Sequence, residues 1–359
     1  MTTLRKEPEA RIAEAKGRTN GALKDGSETG LRPPYLATFQ ATDEPLIVLP
    51  AFLSRADSTP QADRPRDPKN VVGRDGLPIA NPDADPSALA FEPNPNLAYE
   101  KWDEYWRKIH GMRFTYEDGP EDKSMAVMLR YDQVHRVPGG PTSHFPPPYA
   151  APLDGNGRLH SKIIGGIPAY KRPTYDGFAY MAFKSLEDLT LSFGSGKFPA
   201  KIVPEEQVMF RSVPHMIARE HILIASPRHR EAVSVIKVHR RNPVRSREEF
   251  QKRWLHEHAA LVLSMPSSHQ YLRRYVQLHN IGPAKQDELF WHPVGSTWDG
   301  ISVLSFDGMT DAEDFLMTQC NAAIEADEAT FIDHGQSEYW TALNYNIINR
   351  MYPERVTKR

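Results

Sequence analysis

Two aromatic helix motifs decide the fold of this chain. Residues 247–258 read Arg-Glu-Glu-Phe-Gln-Lys-Arg-Trp-Leu-His-Glu-His, and residues 99–110 read Tyr-Glu-Lys-Trp-Asp-Glu-Tyr-Trp-Arg-Lys-Ile-His. In each stretch an aromatic residue, a tryptophan and a histidine recur every four positions, which is the spacing of one helix face. The equivalent residues lie 148 positions apart, as Trp102 and Phe250, Trp106 and Trp254, and His110 and His258. The chain therefore contains an internal repeat.

The repeat continues in the same order beyond the helix. A strand pattern with three polar residues at alternate positions recurs after 144 residues, as Tyr131, Gln133 and His135 and then as Tyr275, Gln277 and His279. An Asp-Gly pair recurs after 123 residues, at 176–177 and 299–300. The first copy has 41 residues between its strand histidine and its aspartate, whereas the second has 20. A proline-rich insertion in the first copy accounts for this difference.

Each copy predicts a β-α-β-β-α-β unit. In the second copy the strands are predicted at 233–240, 272–280, 298–306 and 339–348, and the helices at 247–265 and 311–327. In the first copy, strands at 46–52, 178–183 and 218–225 and a helix after Ser185 complete the pattern. A sheet with both helices on one face must cover its other face. We predict an α+β fold in which two tandem ferredoxin-like units form an intrachain dimeric α+β barrel.

Proline content indicates the domain organisation. The chain has 31 prolines in 359 residues, and most of them fall in residues 1–98 and 138–173. We predict a flexible tail at 1–32, a first unit at 33–226 with proline-rich insertions at 54–98 and 137–174, a second unit at 227–350 and a tail at 351–359. The insertions are expected to be stiff loops that cover a pocket.

Composition excludes several classes of protein. With 40% hydrophobic residues the chain can bury a sizeable core, and a net charge of -2 gives no field that would attract nucleic acid or an anionic membrane. The single cysteine, Cys320, cannot form an internal disulfide, and it is expected to pack on an inward helix face. No apolar run is long enough to cross a bilayer. We expect a cytoplasmic protein that forms a homodimer through its N-terminal tail.

The helix motif, the Tyr-x-Gln-x-His strand and the Asp-Gly strand together resemble the EthD family of the dimeric α+β barrel superfamily. The resemblance covers residues 40–350 as two copies. It implies the fold more strongly than the chemistry, because this superfamily includes cofactor-free oxygenases, isomerases, cyclases, decarboxylases, haem enzymes and accessory proteins.

Histidine and tyrosine are the candidate catalytic residues. His110 and His258 lie on apolar helix faces, so each ring either ties the helix to the sheet or faces a cavity. The strand triplets offer a histidine for proton transfer, a tyrosine hydroxyl and an orienting amide, and they face either the barrel interior or the helices. The predicted catalytic residues are His258, Tyr275, His279, His239, His110, Tyr131 and His135. The predicted substrate-binding residues are Gln133, Gln277, Trp254, Trp106 and Trp298.

The two copies differ at several of these positions. His239 lies on the opening strand of the second copy, where the first copy is apolar, and Asn344 takes the place of His221 near the last strand. We therefore predict that the second half-site, built from His239, His258, Tyr275 and His279, has kept more chemistry.

Metal binding is weakly indicated. His256 and His258 point to opposite sides of a helix, so they cannot share an ion, and no metal is predicted. A haem site built from residues distant in sequence stays open as an alternative. A cluster of arginines forms either a solvated surface or an entry patch for a carboxylated substrate, namely Arg228, Arg230, Arg240, Arg241, Arg245 and Arg247.

These features predict an enzyme without a cofactor. The leading expectation is a lyase or isomerase that transfers protons on a small hydrophobic aromatic or alicyclic metabolite. Two alternatives remain open. One is a cofactor-free or haem-dependent oxygenase, and the other is a non-catalytic ligand-binding protein.

Overall fold

A computed structural model describes residues 45–55, 99–147, 173–194, 196–226, 231–283, 285–286 and 288–351. The first half contains strands β1 (Ile47–Arg55), β2 (Arg130–Arg136), β3 (Gly177–Phe183), β4 (Phe210–Ser212) and β5 (Ala218–Ile224). Its helices are α1, made of Tyr99–Tyr105, Trp106–His110 and Gly111–Arg113, then α2 (Leu186–Gly194), and α3, made of Phe198–Ile202 and Val203–Met209.

The second half repeats this arrangement. Its strands are β6 (Val233–His239), β7 (Arg274–Asn280), β8 (Gly300–Phe306) and β9 (Glu338–Asn349). Its helices are α4, made of Arg247–Arg253, Trp254–His258 and Ala259–Ser264, then α5 (Pro266–Tyr271), α6 (Met309–Leu316) and α7 (Gln319–Glu328), with a short 3₁₀ turn at Gly295–Thr297. Ser246 begins α4 with a capping box, because its side chain and that of Glu249 each accept the other's backbone N–H.

Eight of the strands close into one antiparallel barrel. They follow the order β3-β2-β9-β6-β8-β7-β5-β1, and β1 pairs again with β3. The two halves meet where β2 pairs with β9 and β5 pairs with β7. The predicted α+β class and antiparallel barrel are therefore confirmed.

The strands separate three apolar cores. The barrel interior is filled by large side chains, among them Phe52, Phe178, Trp298 and Trp340. Two further cores lie outside the barrel, between each half of the sheet and its helices. Aromatic side chains fill much of the barrel interior, and a pocket of about 160 Å³ remains beside the barrel-facing residues Val134, Tyr180 and Val303.

Both long helices widen at the motif that defines the repeat. In α1 the N–H of Gly111 reaches back five residues to the carbonyl of Trp106, and in α4 the N–H of Ala259 does the same to Trp254. Such π-turns are frequent at functional sites.

The tryptophan of each helix motif explains the glycine of the Asp-Gly pair in the same half. A Cβ on Gly177 would lie 2.3 Å from the Trp106 ring, and one on Gly300 would lie 2.2 Å from the Trp254 ring.

Some expectations are corrected by the structure. The helix predicted at 311–327 is two helices, because the chain turns at Met317 and Thr318 caps the second one. Cys320, expected to point inward, is partly exposed. The tail at 1–32, the residues 352–359, and most of the proline-rich insertions lie outside the described residues. The domain boundaries stay predictions.

Candidate functional site

The duplicated strand triplets face the helices. In both halves the tyrosine packs in the outer core, whereas the residues between the triplet positions, such as Val276 and Leu278, fill the barrel interior. The sequence left both faces open, and the structure places the triplets on the helix side.

Each triplet forms one hydrogen-bonded connection from strand to helix. Gln277 Nε2 donates to the Trp254 carbonyl at 3.0 Å and to the Tyr275 hydroxyl at 2.9 Å, while its Oε1 lies 2.9 Å from His279 Nε2. Gln133 makes the same contacts with Trp106, Tyr131 and His135 at 2.8, 2.9 and 3.2 Å. The glutamine thus binds the carbonyl at the π-turn.

The tryptophan ring of the motif covers the strand histidine. Trp254 stacks on His279 with ring centroids 4.7 Å apart, and Trp106 stacks on His135 at 4.1 Å. Burial lowers the pKa of both histidines, and the neighbouring His221 and His256 lower that of His279 further. These predicted residues are therefore neutral rings enclosed between strand and helix.

A pair of consecutive acids meets the helix histidine in each half. His258 Nδ1 lies 2.8 Å from Asp327 Oδ2, and its Nε2 lies 3.7 Å from Glu328. His110 lies 3.3 Å from Glu205 and 3.6 Å from Glu206 in the same way. The sequence reasoning missed these acids. The pairs recur 122 residues apart, close to the offset of the Asp-Gly pairs, and that spacing was the available signal.

Lys237 distinguishes the second half. Its ammonium donates to both oxygens of Glu328 at 2.9 Å, and both side chains are buried. Burial alone would raise the pKa of the Glu328 carboxyl, but the charge of Lys237, with His258 and His239 nearby, lowers it to about 2. This ion pair is therefore fixed at neutral pH.

His239 lies two residues further along the same strand, so it projects from the same face. Its Nε2 is 2.8 Å from the Ser302 hydroxyl, and Trp254 packs edge-on against it at 5.1 Å. Burial lowers the pKa of His239 to about 3. Its imidazole is consequently neutral at physiological pH and able to accept a proton.

A pocket of about 350 Å³ is lined by Lys237, His239 and Glu328, among others. Strand β6, helix α7 and the segment before β9 form most of it, and a turn of the first half contributes Ser143 and Pro146. The volume is in the range of small-molecule sites. The lining residues that matter for the chemistry are Lys237, His239, Glu325, Glu328, His334 and Glu338.

A second, much smaller cavity lies behind the ion pair. This inner chamber, of about 10 Å³, is lined by His258, Tyr275, Asn321 and Ser302, among others, and Lys237 and Glu328 line both cavities. The structure therefore brings His239, His258 and Tyr275, three of the four residues predicted for the second half-site, around one ion pair. His279 lies apart, against Trp254 and His221.

The first half has apolar residues at the equivalent strand positions. Leu53 faces Gly177 in the register in which His239 faces Gly300, and Ala51 faces Ala179 where Lys237 faces Ser302. Tyr105 and Arg113 both contact Glu205, which closes the space beside His110. The first half thus retains His110, Tyr131 and His135, but β1 offers no proton-accepting side chain at the positions equivalent to Lys237 and His239.

Two further predictions are corrected by the structure. Trp298 lies in the barrel interior, 4.9 Å from the ring of Phe52, and does not line the pocket. The residue equivalent to His221 is Tyr345, because His221 pairs with Gln277 as Tyr345 pairs with Gln133. The prediction of Asn344 was therefore wrong by one position.

Part of the arginine cluster has a structural role. Arg241 and Arg247 contact the buried carboxylate of Asp299 at 2.5 and 3.0 Å, so they hold the Asp-Gly strand. Arg228 and Arg230 lie outside the described residues. Within the described part of the chain, no group of three acidic, histidine or cysteine side chains is arranged to hold a metal ion. None of the described helices has the length and apolar character needed to span a bilayer.

The fold and the helix-side site define a protein of the dimeric α+β barrel class. The EthD domain model matches residues 242–335, which contain the π-turn of α4, the Tyr-x-Gln-x-His strand and the acid pair of α7. The predicted resemblance to the EthD family is thereby confirmed for residues 242–335, in the second half of the chain.

Several solved structures are similar to most of the chain, at low identity and with TM-scores below 0.5. An anthrone oxidase-like protein is 13% identical with a TM-score of 0.44, and the match covers 87% of this chain and 97% of that one. A candidate monooxygenase from Lactobacillus acidophilus NCFM is 8% identical with a TM-score of 0.39, covering 86% and 97%. A chlorite dismutase variant from Candidatus Nitrospira defluvii is 8% identical with a TM-score of 0.37, covering 85% and 94%. No curated protein sequence matches the chain.

These comparisons correct the leading expectation for function. The similar structures are described as an anthrone oxidase-like protein, a monooxygenase and a chlorite dismutase, and none of these three is described as a lyase or an isomerase. The prediction of a cofactor-independent lyase or isomerase was therefore wrong. Of the expectations from sequence, the oxygenase alternative is the one taken further.

Proposed function

We propose that this chain is a cofactor-independent oxygenase whose active site is the pocket around His239. The observation that carries the proposal is a neutral, buried imidazole beside a fixed ammonium–carboxylate pair in a pocket of about 350 Å³. The tandem of two ferredoxin-like units is part of the same proposal, with the second unit holding the active half-site.

His239 acts as the general base. Its Nε2 is paired with Ser302, which leaves Nδ1 as the nitrogen for a substrate proton. Its neutral imidazole is in the form that can take up a proton from a phenol or from a carbon next to a carbonyl group. Because burial lowers the pKa of His239 to about 3, the ring is a weak base, and the transfer relies on Lys237 to stabilise the anion that forms. Glu328 stays a carboxylate, since the charge of Lys237 lowers its pKa to about 2.

Lys237 stabilises the anion that forms. Its ammonium is held on the pocket wall by two hydrogen bonds to Glu328, so it is oriented before the substrate binds. A fixed charge at the place where negative charge develops lowers the activation barrier of the reaction without a reorganisation cost. The same charge stabilises the reduced oxygen species of the next step.

The oxidation step balances with dioxygen as the co-substrate. The deprotonated substrate gives one electron to O₂, and the resulting pair combines into a hydroperoxide on the carbon that lost its proton. For a ring methylene group, loss of water from the hydroperoxide leaves a carbonyl group. One CH₂ and one O₂ thus become one C=O and one H₂O, and the protein supplies only proton transfers and charge stabilisation.

His258 does not fit the haem alternative as a ligand, because both of its ring nitrogens face carboxylates, at 2.8 Å for Asp327 and 3.7 Å for Glu328.

The pocket favours a neutral substrate over a carboxylated one. Glu325, Glu328 and Glu338 line it together with a single lysine, so acidic groups outnumber basic ones in the lining. A carboxylate entering this pocket would meet like charges. A small hydrophobic phenol or ring ketone fits the lining better than the carboxylated substrate considered for the arginine cluster.

Oxygen uptake with anthrone as the probe tests the proposal. We expect uptake by the full chain and a loss of about 100-fold or more in His239→Leu, the residue that the first half has at this position. His269→Leu, at an exposed histidine of α5, is the matched control and should keep the wild-type rate. Wild-type uptake by His239→Leu, or no uptake by the wild-type chain with anthrone and simple phenols, would refute the proposal.

A further inference from the structure

The barrel interior contains a second pocket, of about 160 Å³, near the end at which β2, β6 and β7 begin. This barrel-end pocket shares no lining residue with the pocket around His239. Polar side chains from both halves of the chain line it, among them Arg130, Asp132, Tyr180, Glu231, Arg274 and Asn344. The pocket therefore lies between the two halves and apart from the proposed active site.

A buried phenol satisfies the arginine of the second half at this end of the barrel. The Tyr180 hydroxyl donates to the Glu220 carboxylate, and Arg274 Nη2 donates to that hydroxyl at 3.2 Å and to Glu220 Oε1 at 3.1 Å. The guanidinium carbon of Arg274 also lies 5.3 Å from the centroid of the Tyr180 ring. Tyr180 thus shows how this barrel binds a phenol, between a carboxylate and a guanidinium.

The equivalent place beside the arginine of the first half has no phenol. Arg130 has the position on β2 that Arg274 has on β7, 144 residues later. In the same strand register Val303 takes the place of Tyr180. Because valine is much smaller than tyrosine, the exchange leaves space in the barrel, and Val303 lines the barrel-end pocket.

Several buried polar atoms at this pocket have no partner. Arg130 binds Asp132 through Nε and Nη2, at 2.6 and 2.5 Å, but its Nη1 has no hydrogen-bond partner among the described residues. Asn344 takes the place of Glu220 in the strand register. Its Oδ1 and the Oε1 of Glu231 are buried acceptors that are likewise unpaired within the described part of the chain. One donor and two acceptors therefore await a ligand, since buried polar groups are normally hydrogen-bonded.

Size and charge favour a neutral ring compound. A buried cavity of about 150 Å³ can hold one benzene molecule, and the barrel-end pocket has about 160 Å³. The charged residues that line it are Arg130, Arg274, Asp132 and Glu231, so two positive charges balance two negative ones. A neutral ligand enters without adding an unbalanced charge.

We propose that the barrel-end pocket binds a monocyclic phenol in the manner of Tyr180. The ligand hydroxyl accepts a hydrogen bond from Arg130 Nη1 and donates one to Glu231 or Asn344, because a phenol oxygen is both donor and acceptor. The ring lies beside Val303, where the second half lacks a tyrosine. This proposal uses a different pocket and does not rest on the proposed oxygenase function.

Valine methyl NMR of the full chain, titrated with phenol, tests the proposal because valines line both pockets. Val134 and Val303 report on the barrel-end pocket, and Val238 reports on the pocket around His239. We expect phenol to shift the signals of Val134 and Val303, with a Kd on the order of 1 mM for so small a ligand. Unchanged Val134 and Val303 signals, or a shift of Val238 alone, would overturn the proposal.

Val303→Tyr supplies the missing ring from the chain itself. The variant should fold, since Tyr180 packs in the equivalent place, and phenol should no longer shift the Val134 signal. Val303→Ala is the matched control and should keep phenol binding, because it enlarges the pocket instead of filling it. A folded Val303→Tyr in which phenol still shifts Val134 would overturn the proposal.

Anisole tests the hydroxyl in the wild-type chain, without any substitution. Its oxygen can accept from Arg130 Nη1 but has no proton for Glu231 or Asn344, so we expect it to bind about 10-fold more weakly than phenol. Equal affinity for the two compounds at Val134 would contradict the proposed hydrogen bonds. Oxygen uptake does not enter any of these measurements, so a failure of the proposed oxygenase function leaves their outcome unaffected.

Discussion

The two half-sites of this chain share one scaffold and differ in a few side chains on two strands. Both have the π-turn, the stacked tryptophan and histidine, the glutamine contact and a helix histidine against an acid pair. In the second half, Lys237, His239 and Ser302 replace alanine, leucine and alanine. Residues that appear twice therefore build the fold, and the residues that appear once carry the proposed chemistry.

Replacing one acid in each pair should give the largest difference between the halves in the free energy of unfolding. Replacing Glu328 with Gln leaves the Lys237 ammonium buried without its partner, which we expect to cost about 3–5 kcal/mol. Glu206→Gln weakens a contact with His110 without leaving a buried ammonium unpaired, and it should cost about 1–3 kcal/mol. Urea unfolding of both variants measures the difference.

A double variant controls this comparison. Lys237→Met combined with Glu328→Gln removes both charges, so it should recover much of the stability lost in Glu328→Gln. Equal losses in Glu328→Gln and Glu206→Gln would contradict the special role of the ion pair.

The buried base should make stability depend on pH. Burial lowers the pKa of folded His239 to about 3, whereas the unfolded chain binds this proton below about 6.5. The unfolded state therefore holds more protons between these values, so stability falls as the pH decreases through this window. From pH 7 to pH 5 this histidine should account for about 2 kcal/mol of the loss.

Urea unfolding of the wild type and of His239→Leu at pH 7 and pH 5 isolates that contribution. The variant should lose about 2 kcal/mol less than the wild type over this interval. Parallel losses in the two proteins would show that His239 is not held neutral. Leu53 of the first half offers no titrating group at the equivalent place.

The shared glutamines should show the smallest difference between the halves. Gln133→Leu and Gln277→Leu each remove one donor from the π-turn carbonyl and leave buried groups unpaired, at a cost of about 1–3 kcal/mol. We expect the two losses to agree within about 0.5 kcal/mol. Thermal and urea unfolding check this, and a much larger loss in one half would break the equivalence.

Much of the fold could be predicted because the repeat preserves spacing. Trp254 and Gly300 fit each other, as Trp106 and Gly177 do, so the helix motif and the Asp-Gly strand appear together in both copies. Alternation predicted that Tyr275, Gln277 and His279 share one strand face. It could not decide which face, because that depends on how the aromatic residues fill the barrel interior.

The site was only partly predictable, because the burial of its charged residues also depends on tertiary packing. His239, His258 and Tyr275 were found from residue type and repeat position. Lys237 and Glu328 were missed, because a single lysine on a strand and an acid at a helix end are ordinary surface residues until the fold buries them together. The proposed function depends on that buried pair, which residue type and spacing alone do not indicate.

We propose that three residues on β6 and β8, Lys237, His239 and Ser302, make the second half-site active. The most direct test combines Lys237→Ala, His239→Leu and Ser302→Ala in one chain, with Glu328→Gln added so that no buried carboxylate is left unpaired. This variant gives the second half the strand residues of the first. We predict that it folds cooperatively and loses anthrone-dependent oxygen uptake. Uptake at the wild-type rate by the folded variant would contradict the account.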